Sequence, residues 1–207
     1  MRKSLALFCL AAAVTLSAAP AMAENIKGKF GVTGRIGFIV PADSDVGADK
    51  AKLETDAGFV GGGGFIYGID RNIAAELEIT HSGFSSELHD GSFKGDFDVI
   101  NIGLGAQYRF AINQPNLTPY AGAGLDIILS DFEQSTPGTG RYDVDTTVGL
   151  HVKGGIDYFL TRQFALNAEG KFVVAPETDI KGSNGGTNGN FDPTGFIGTA
   201  GVRFFFN

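Results

Sequence analysis

The stretch DFDVINIGLGAQYRF, residues 96–110, decides the fold. Ile100, Ile102, Leu104, Ala106, Tyr108 and Phe110 fall on one side of an extended chain, and Asn101, Gln107 and Arg109 on the other. A strand sends successive side chains to opposite faces, so this two-residue period is a strand's period. An ordinary strand is about 5–6 residues long, whereas a tilted membrane crossing needs about 9–11. The run is therefore long enough to cross a bilayer with its oily face toward lipid.

The same pattern recurs along the rest of the chain. Lys27 to Val40 places Phe30, Val32, Ile36, Phe38 and Val40 on one face. Gly58 to Tyr67, Asn72 to Phe84, Pro119 to Ser130, Val144 to Tyr158, Gln163 to Ala175 and Thr194 to Phe206 repeat it, each with polar or glycine partners opposite. Aromatic residues close the apolar faces: Phe38, Phe59, Tyr67, Tyr108, Phe110, Tyr158, Phe164 and Phe206. Short connections (Ile69 to Arg71, Ala111 to Thr118, Leu160 to Arg162) alternate with long polar ones (Pro41 to Ala57, Ser85 to Gly95, Asp131 to Asp143, Pro176 to Pro193). These features predict an all-β, up-and-down, eight-stranded antiparallel transmembrane β-barrel with both termini in the periplasm. Closure removes the unpaired edges that lipid does not tolerate. A soluble sandwich would alternate too, but its core would not accept unpaired charges on nearly every strand.

Composition narrows the function. The formal charge is −7, which argues against nucleic acid as a partner, since phosphate binding needs a basic surface. The single cysteine, Cys9, excludes a disulfide scaffold and a thiolate metal site. Residues 1–23 read as a secretory leader: Arg2 and Lys3, the apolar run Leu5 to Leu16, then Ala21-Met22-Ala23. The barrel domain is expected over 24–207. The 31 glycines are about twice the usual share of ~7%, and a narrow barrel needs them for bending and close approach. The run Gly61 to Gly64 lacks the Lys-Ser/Thr of a phosphate loop.

Eight strands enclose only enough space for side chains or one small ligand. Inward positions of the periplasmic half are Lys29, Arg35, Glu76, Glu78, Arg109, Lys153, Asp157, Glu169 and Arg203, which pair as an ionic plug. Toward the extracellular ends the inward positions are Ile39, Val60, Phe97, Val99, Ile128, Val173 and Ile197. They describe either an apolar pocket for a small hydrophobic compound above a salt-bridged floor, or simple packing beneath the loops.

Pro119-Tyr120-Ala121-Gly122-Ala123-Gly124 resembles a strand opening of the outer membrane protein W family. Gly155-Ile156-Asp157-Tyr158-Phe159-Leu160 with Leu166-Asn167-Ala168, Asn72 to Leu77, and Asp192-Pro193 resemble further segments of that family. The chain departs from it where Asp98-Val99-Ile100 replaces Leu-Pro-Pro, and where Thr194 replaces an aromatic. Gly201, Phe204 and Phe206 resemble the terminal signal read by barrel-assembly machinery. The resemblance implies a monomeric barrel in the Gram-negative outer membrane, set among lipid and lipopolysaccharide. It also implies carriage of small hydrophobic molecules, with lateral release into the bilayer.

Two other functions compete with carriage. An enzyme needs a nucleophile, a base and an orienter in contact. Of the three histidines, His81 and Ser82 are strand neighbours facing opposite sides, His89 lies in a connection, and His151 has no serine two residues away. No catalytic residue, cofactor or metal is expected. A structural or adhesive barrel would use its outer loops, whose Asp43, Asp45 and Asp49 match a calcium loop only loosely.

Overall fold

The computed structural model describes residues 26–42, 44–46, 51–55, 57–88, 94–134, 141–144, 146–181 and 187–206, with side chains for 26–42, 57–85, 98–131, 146–177 and 192–206. The expected leader lies outside the described residues.

Thirteen strands are described, and the eight long ones are those the alternation marked: β1 (Phe30–Pro41), β4 (Gly58–Gly68), β5 (Ile73–Leu88), β6 (Lys94–Arg109), β7 (Leu117–Gln134), β9 (Thr147–Phe159), β10 (Phe164–Val174) and β13 (Gly195–Phe206). Each pairs antiparallel with its neighbours in that order, and β1 pairs with both β4 and β13. The barrel is closed, all-antiparallel and eight-stranded.

Facing follows the sequence period. Ile36, Phe59, Leu104 and Leu150 are each 60–65% exposed, while charged residues on the alternate face are buried. This is the inverse of a water-soluble protein, and only a surrounding apolar solvent makes it stable. Rings gather at the strand ends. Phe30 stacks on Phe65 and Phe206 at the end where β1 begins and β13 finishes, and Phe38 tilts against Phe196 toward the other end.

The long connections depart from the expectation of plain loops. They contain β2 (Ser44–Val46), β3 (Ala51–Thr55), β8 (Arg141–Val144), β11 (Thr178–Lys181) and β12 (Thr187–Phe191). The path β5–β3–β2–β12–β11–β8–β7, with β6 between β5 and β7, makes a second ring above the first. Strands β5, β6 and β7 run through both storeys, whereas β1, β4, β9, β10 and β13 stop at one level. The extra strands are only three to five residues long, too short for a two-residue period to stand out, and the ring they form is closed by pairings between connections far apart in sequence.

At the terminal end the chain folds inward. Gly28 takes φ +74°, which turns the segment so that Ile26 tucks beneath the barrel. Ile26, Ile66, Ala74, Phe159, Ala165 and Phe205 form an apolar floor there. The expected salt-bridged floor is thus a middle layer resting on an oily one.

Candidate functional site

Alternation turns Arg35 on β1, Glu76 and Glu78 on β5, Arg109 on β6, Asp126 on β7, Lys153 and Asp157 on β9, Glu169 and Lys171 on β10, and Arg203 on β13 into the lumen. All ten are buried. Five carboxylates meet five cations, so the layer is electrically balanced without His151. Arg35 donates to Glu76 at 2.6 Å, Glu169 at 2.5 Å and Glu78 at 3.0 Å. Lys153 reaches Glu76 at 2.7 Å. Arg203 donates to Asp157 at 2.7 Å and Glu76 at 3.1 Å, and Arg109 completes Asp157 at 2.7 Å. Burying such groups is tolerable only when each is paired and hydrogen-bonded, and here nearly every charge has two or more partners.

The network is larger than the sequence indicates. Lys171 binds Glu78 and lies 2.7 Å from Asp126, whose other oxygen is 2.6 Å from His151 Nδ1. Tyr120 donates to Glu169 at 2.7 Å and accepts from Asn167 at 2.8 Å, and its ring lies 5.4 Å from the Arg203 guanidinium. Lys29, placed in the plug by sequence, is only half-buried and sits in the turn before β1. Strand tilt explains the difference, because residues at different sequence depths on neighbouring strands reach the same height.

Glycines make the room. Gly103 lies opposite both Glu78 and Asp126, and a Cβ there would stand 3.0 Å from Asp126 Oδ1 and from Glu78 Cγ. A Cβ on Gly124 would meet the His151 ring at 2.7 Å, and one on Gly155 the Tyr120 hydroxyl at 2.5 Å. These inner-face glycines trade their own side chains for the bulk of a charged neighbour.

Above the ionic layer, Ile39, Val60, Val99, Ile128, Val173 and Ile197 are buried inside the barrel. The Phe97 side chain lies outside the described residues, and its backbone pairs with Phe84 and Phe132 in β5 and β7. Ile39, Val99, Ile128, Val173 and Ile197 line one void with Thr80, Ser82, Asn101, Pro193 and Gly195. Its free space is about 20 Å³, the room of a single water. The polar members are absent from the sequence expectation, although alternation with Glu76 and Glu78 already puts Thr80 and Ser82 on the inner face.

The sequence profile of the outer membrane protein beta-barrel domain matches residues 9–204. The chain belongs to that family. The outer membrane barrel domain accounts for the inverted faces, and no curated protein matches the sequence. Among solved structures, the outer membrane protein OprG of Pseudomonas aeruginosa superposes with a TM-score of 0.74 at 20% identity, covering 90% of this chain and 99% of that one. AlkL, solved in DMPC lipid bilayers, gives 0.58 at 16%, covering 92% and 95%. Escherichia coli outer membrane protein W gives 0.46 at 21%, covering 88% and 100%.

The remaining candidates are only partly described. His81 faces outward, 3.0 Å from Asp98, with Ser82 buried on the other face. His89, Asp43 and Asp49 lie outside the described residues, and Asp45 pairs with Lys52 and Asn190 on β2. Among the described residues no group of three His, Cys, Asp or Glu side chains is placed to hold a metal. Phe204 and Phe206 lie on the lipid face of β13, and Gly201 lies opposite Arg35.

Proposed function

We propose that this outer-membrane barrel takes up small hydrophobic molecules through its upper lumen. The observation that carries the reading is the sorting of the interior by height: a mostly apolar, uncharged chamber stands directly on a balanced ionic layer that fills the axis. A hydrophobic guest is favoured in the first and excluded by the second, so it leaves sideways. The wall beside the chamber has a place for this. The β10–β13 ladder ends at Val173 opposite Gly195, and beyond it the two segments meet through the Thr194 hydroxyl, 3.4 Å from the Ala175 amide and carbonyl. Pro193, which has no amide hydrogen to give, lines the chamber at the same level.

The test is accumulation of an apolar fluorescent probe and of a hydrophilic probe of equal mass by Gram-negative cells expressing the chain. Faster entry of the apolar probe alone is expected, and Ile128→Asp should abolish the gain while the folded form survives on a gel. Equal change for both probes, or none for the apolar one, refutes the reading. A second reading, a structural or adhesive barrel that binds through its upper ring, is favoured by the small size of the void. It predicts no change for either probe.

A further inference from the structure

The chamber is two-sided. Its β1, β7, β10 and β13 walls carry Ile39, Ile128, Val173 and Ile197, while its β5–β6 wall carries Thr80, Ser82 and Asn101. Thr80 and Asn101 lie directly opposite each other in the ladder, with Ser82 opposite Val99 one step above. Asn101 is buried, and its Oδ1 has no hydrogen-bond partner among the described residues. A buried carbonyl oxygen left unpaired is destabilising, so a pocket meant only for hydrocarbon would be better served by an aliphatic residue there. Among the described residues no charged side chain lines the chamber. The nearest cation along β10, Lys171, is bound to Glu78 and Asp126.

We infer that the guest is an uncharged apolar molecule bearing one hydroxyl, such as an aliphatic alcohol, which donates to Asn101 Oδ1. This rests on the uptake reading above and narrows its substrate class. The oxygen sits on the Asn101–Thr80–Ser82 wall, where the void has the volume of one hydroxyl. The hydrocarbon part lies against Ile39, Ile128, Val173 and Ile197, which part to admit it. A carboxylate is disfavoured, because among the described residues the buried cations of the layer below are already matched by carboxylates.

The experiment is an NMR titration of the full barrel in lipid nanodiscs with octane, 1-octanol and octanoate, corrected by their partition into protein-free nanodiscs. The methyl groups of Val99 and Ile128 report binding, and Asn101→Leu is the variant. Octanol should bind about tenfold more tightly than octane, the worth of one buried hydrogen bond, and octanoate more weakly than octanol. In Asn101→Leu the octanol advantage should vanish with octane unchanged. Thr80→Val, which removes a neighbouring hydroxyl without changing volume, should shrink it partly. Octane and octanol binding alike to the wild type, or an octanol preference that survives Asn101→Leu, overturns the inference and leaves apolar uptake standing. Octanoate binding as tightly as octanol overturns the uncharged character. Binding of none of the three removes this inference and the uptake reading together.

Discussion

Replacing Arg203 by Met tests whether the ionic layer is a dry structural core. Arg203 is 0% exposed and donates to Asp157, Glu76 and Thr33 at 2.7, 3.1 and 2.9 Å. Methionine keeps much of the side-chain length and removes the charge and all three hydrogen bonds. Each charge-assisted bond is worth about 1.5–3 kcal/mol, and breaking a buried pair by deleting one partner costs about 3–5 kcal/mol. Asp157 keeps Arg109, and Glu76 keeps Arg35 and Lys153, so the loss falls toward the low end, about 3 kcal/mol. In a water-filled lumen the same pairs would be worth only about 0–1 kcal/mol. Urea unfolding of the barrel in lipid vesicles, followed by far-ultraviolet circular dichroism and gel mobility, measures the difference; the chain has no tryptophan for fluorescence. A loss under about 1 kcal/mol would refute the dry-core reasoning. Adding Glu76→Gln to Arg203→Met restores the charge balance, and its extra cost should be well below that of Glu76→Gln alone.

Gly103→Val should destabilise the barrel by about 1–3 kcal/mol, because its Cβ meets Asp126 and Glu78, whereas Gly34→Val, whose Cβ meets nothing within 4 Å, should be neutral or stabilising in the same unfolding assay. Leu104→Arg places a charge on a residue 60% exposed on the lipid face and should cost about 2–4 kcal/mol in vesicles if that position lies near the bilayer midplane. Equal stability of this variant and the wild type in lipid would mean that the face does not meet acyl chains. In a planar bilayer the purified chain should show no sustained ohmic conductance, since both the ionic layer and the floor of Ile26, Phe159 and Phe205 cross the axis. Steady salt-proportional current would show an open polar path.

Much of this architecture is legible in the sequence because a membrane strand obeys a single rule. Every second residue must suit lipid, so DFDVINIGLGAQYRF announces its own facing without reference to its partners. The upper ring obeys no such rule. Ser44–Val46 and Thr187–Phe191 pair across most of the chain length, and their polar, glycine-rich composition is that of a loop. The charged layer is half legible. Inwardness of Asp126, His151 and Lys171 follows from period two, but their meeting depends on strand tilt, which a linear sequence does not express. The apolar floor escapes for another reason. Period two already puts Phe205 on the face of Arg203, but only the folded barrel brings it together with Ile26, Ile66, Ala74, Phe159 and Ala165.

The ionic layer also has a consequence for assembly. Arg203, on the final strand, neutralises carboxylates laid down 46 and 127 residues earlier, and its Thr33 partner belongs to the first strand, 170 residues away. Until the last strand arrives, Asp157 is paired with Arg109 alone among the described residues and Glu76 relies on Arg35 and Lys153, so a half-rolled intermediate would hold its carboxylates less fully paired than the closed barrel does. Such a chain has little to gain from pausing. The final strand thus acts as a latch, fastening the first strand and the middle of the chain through one guanidinium.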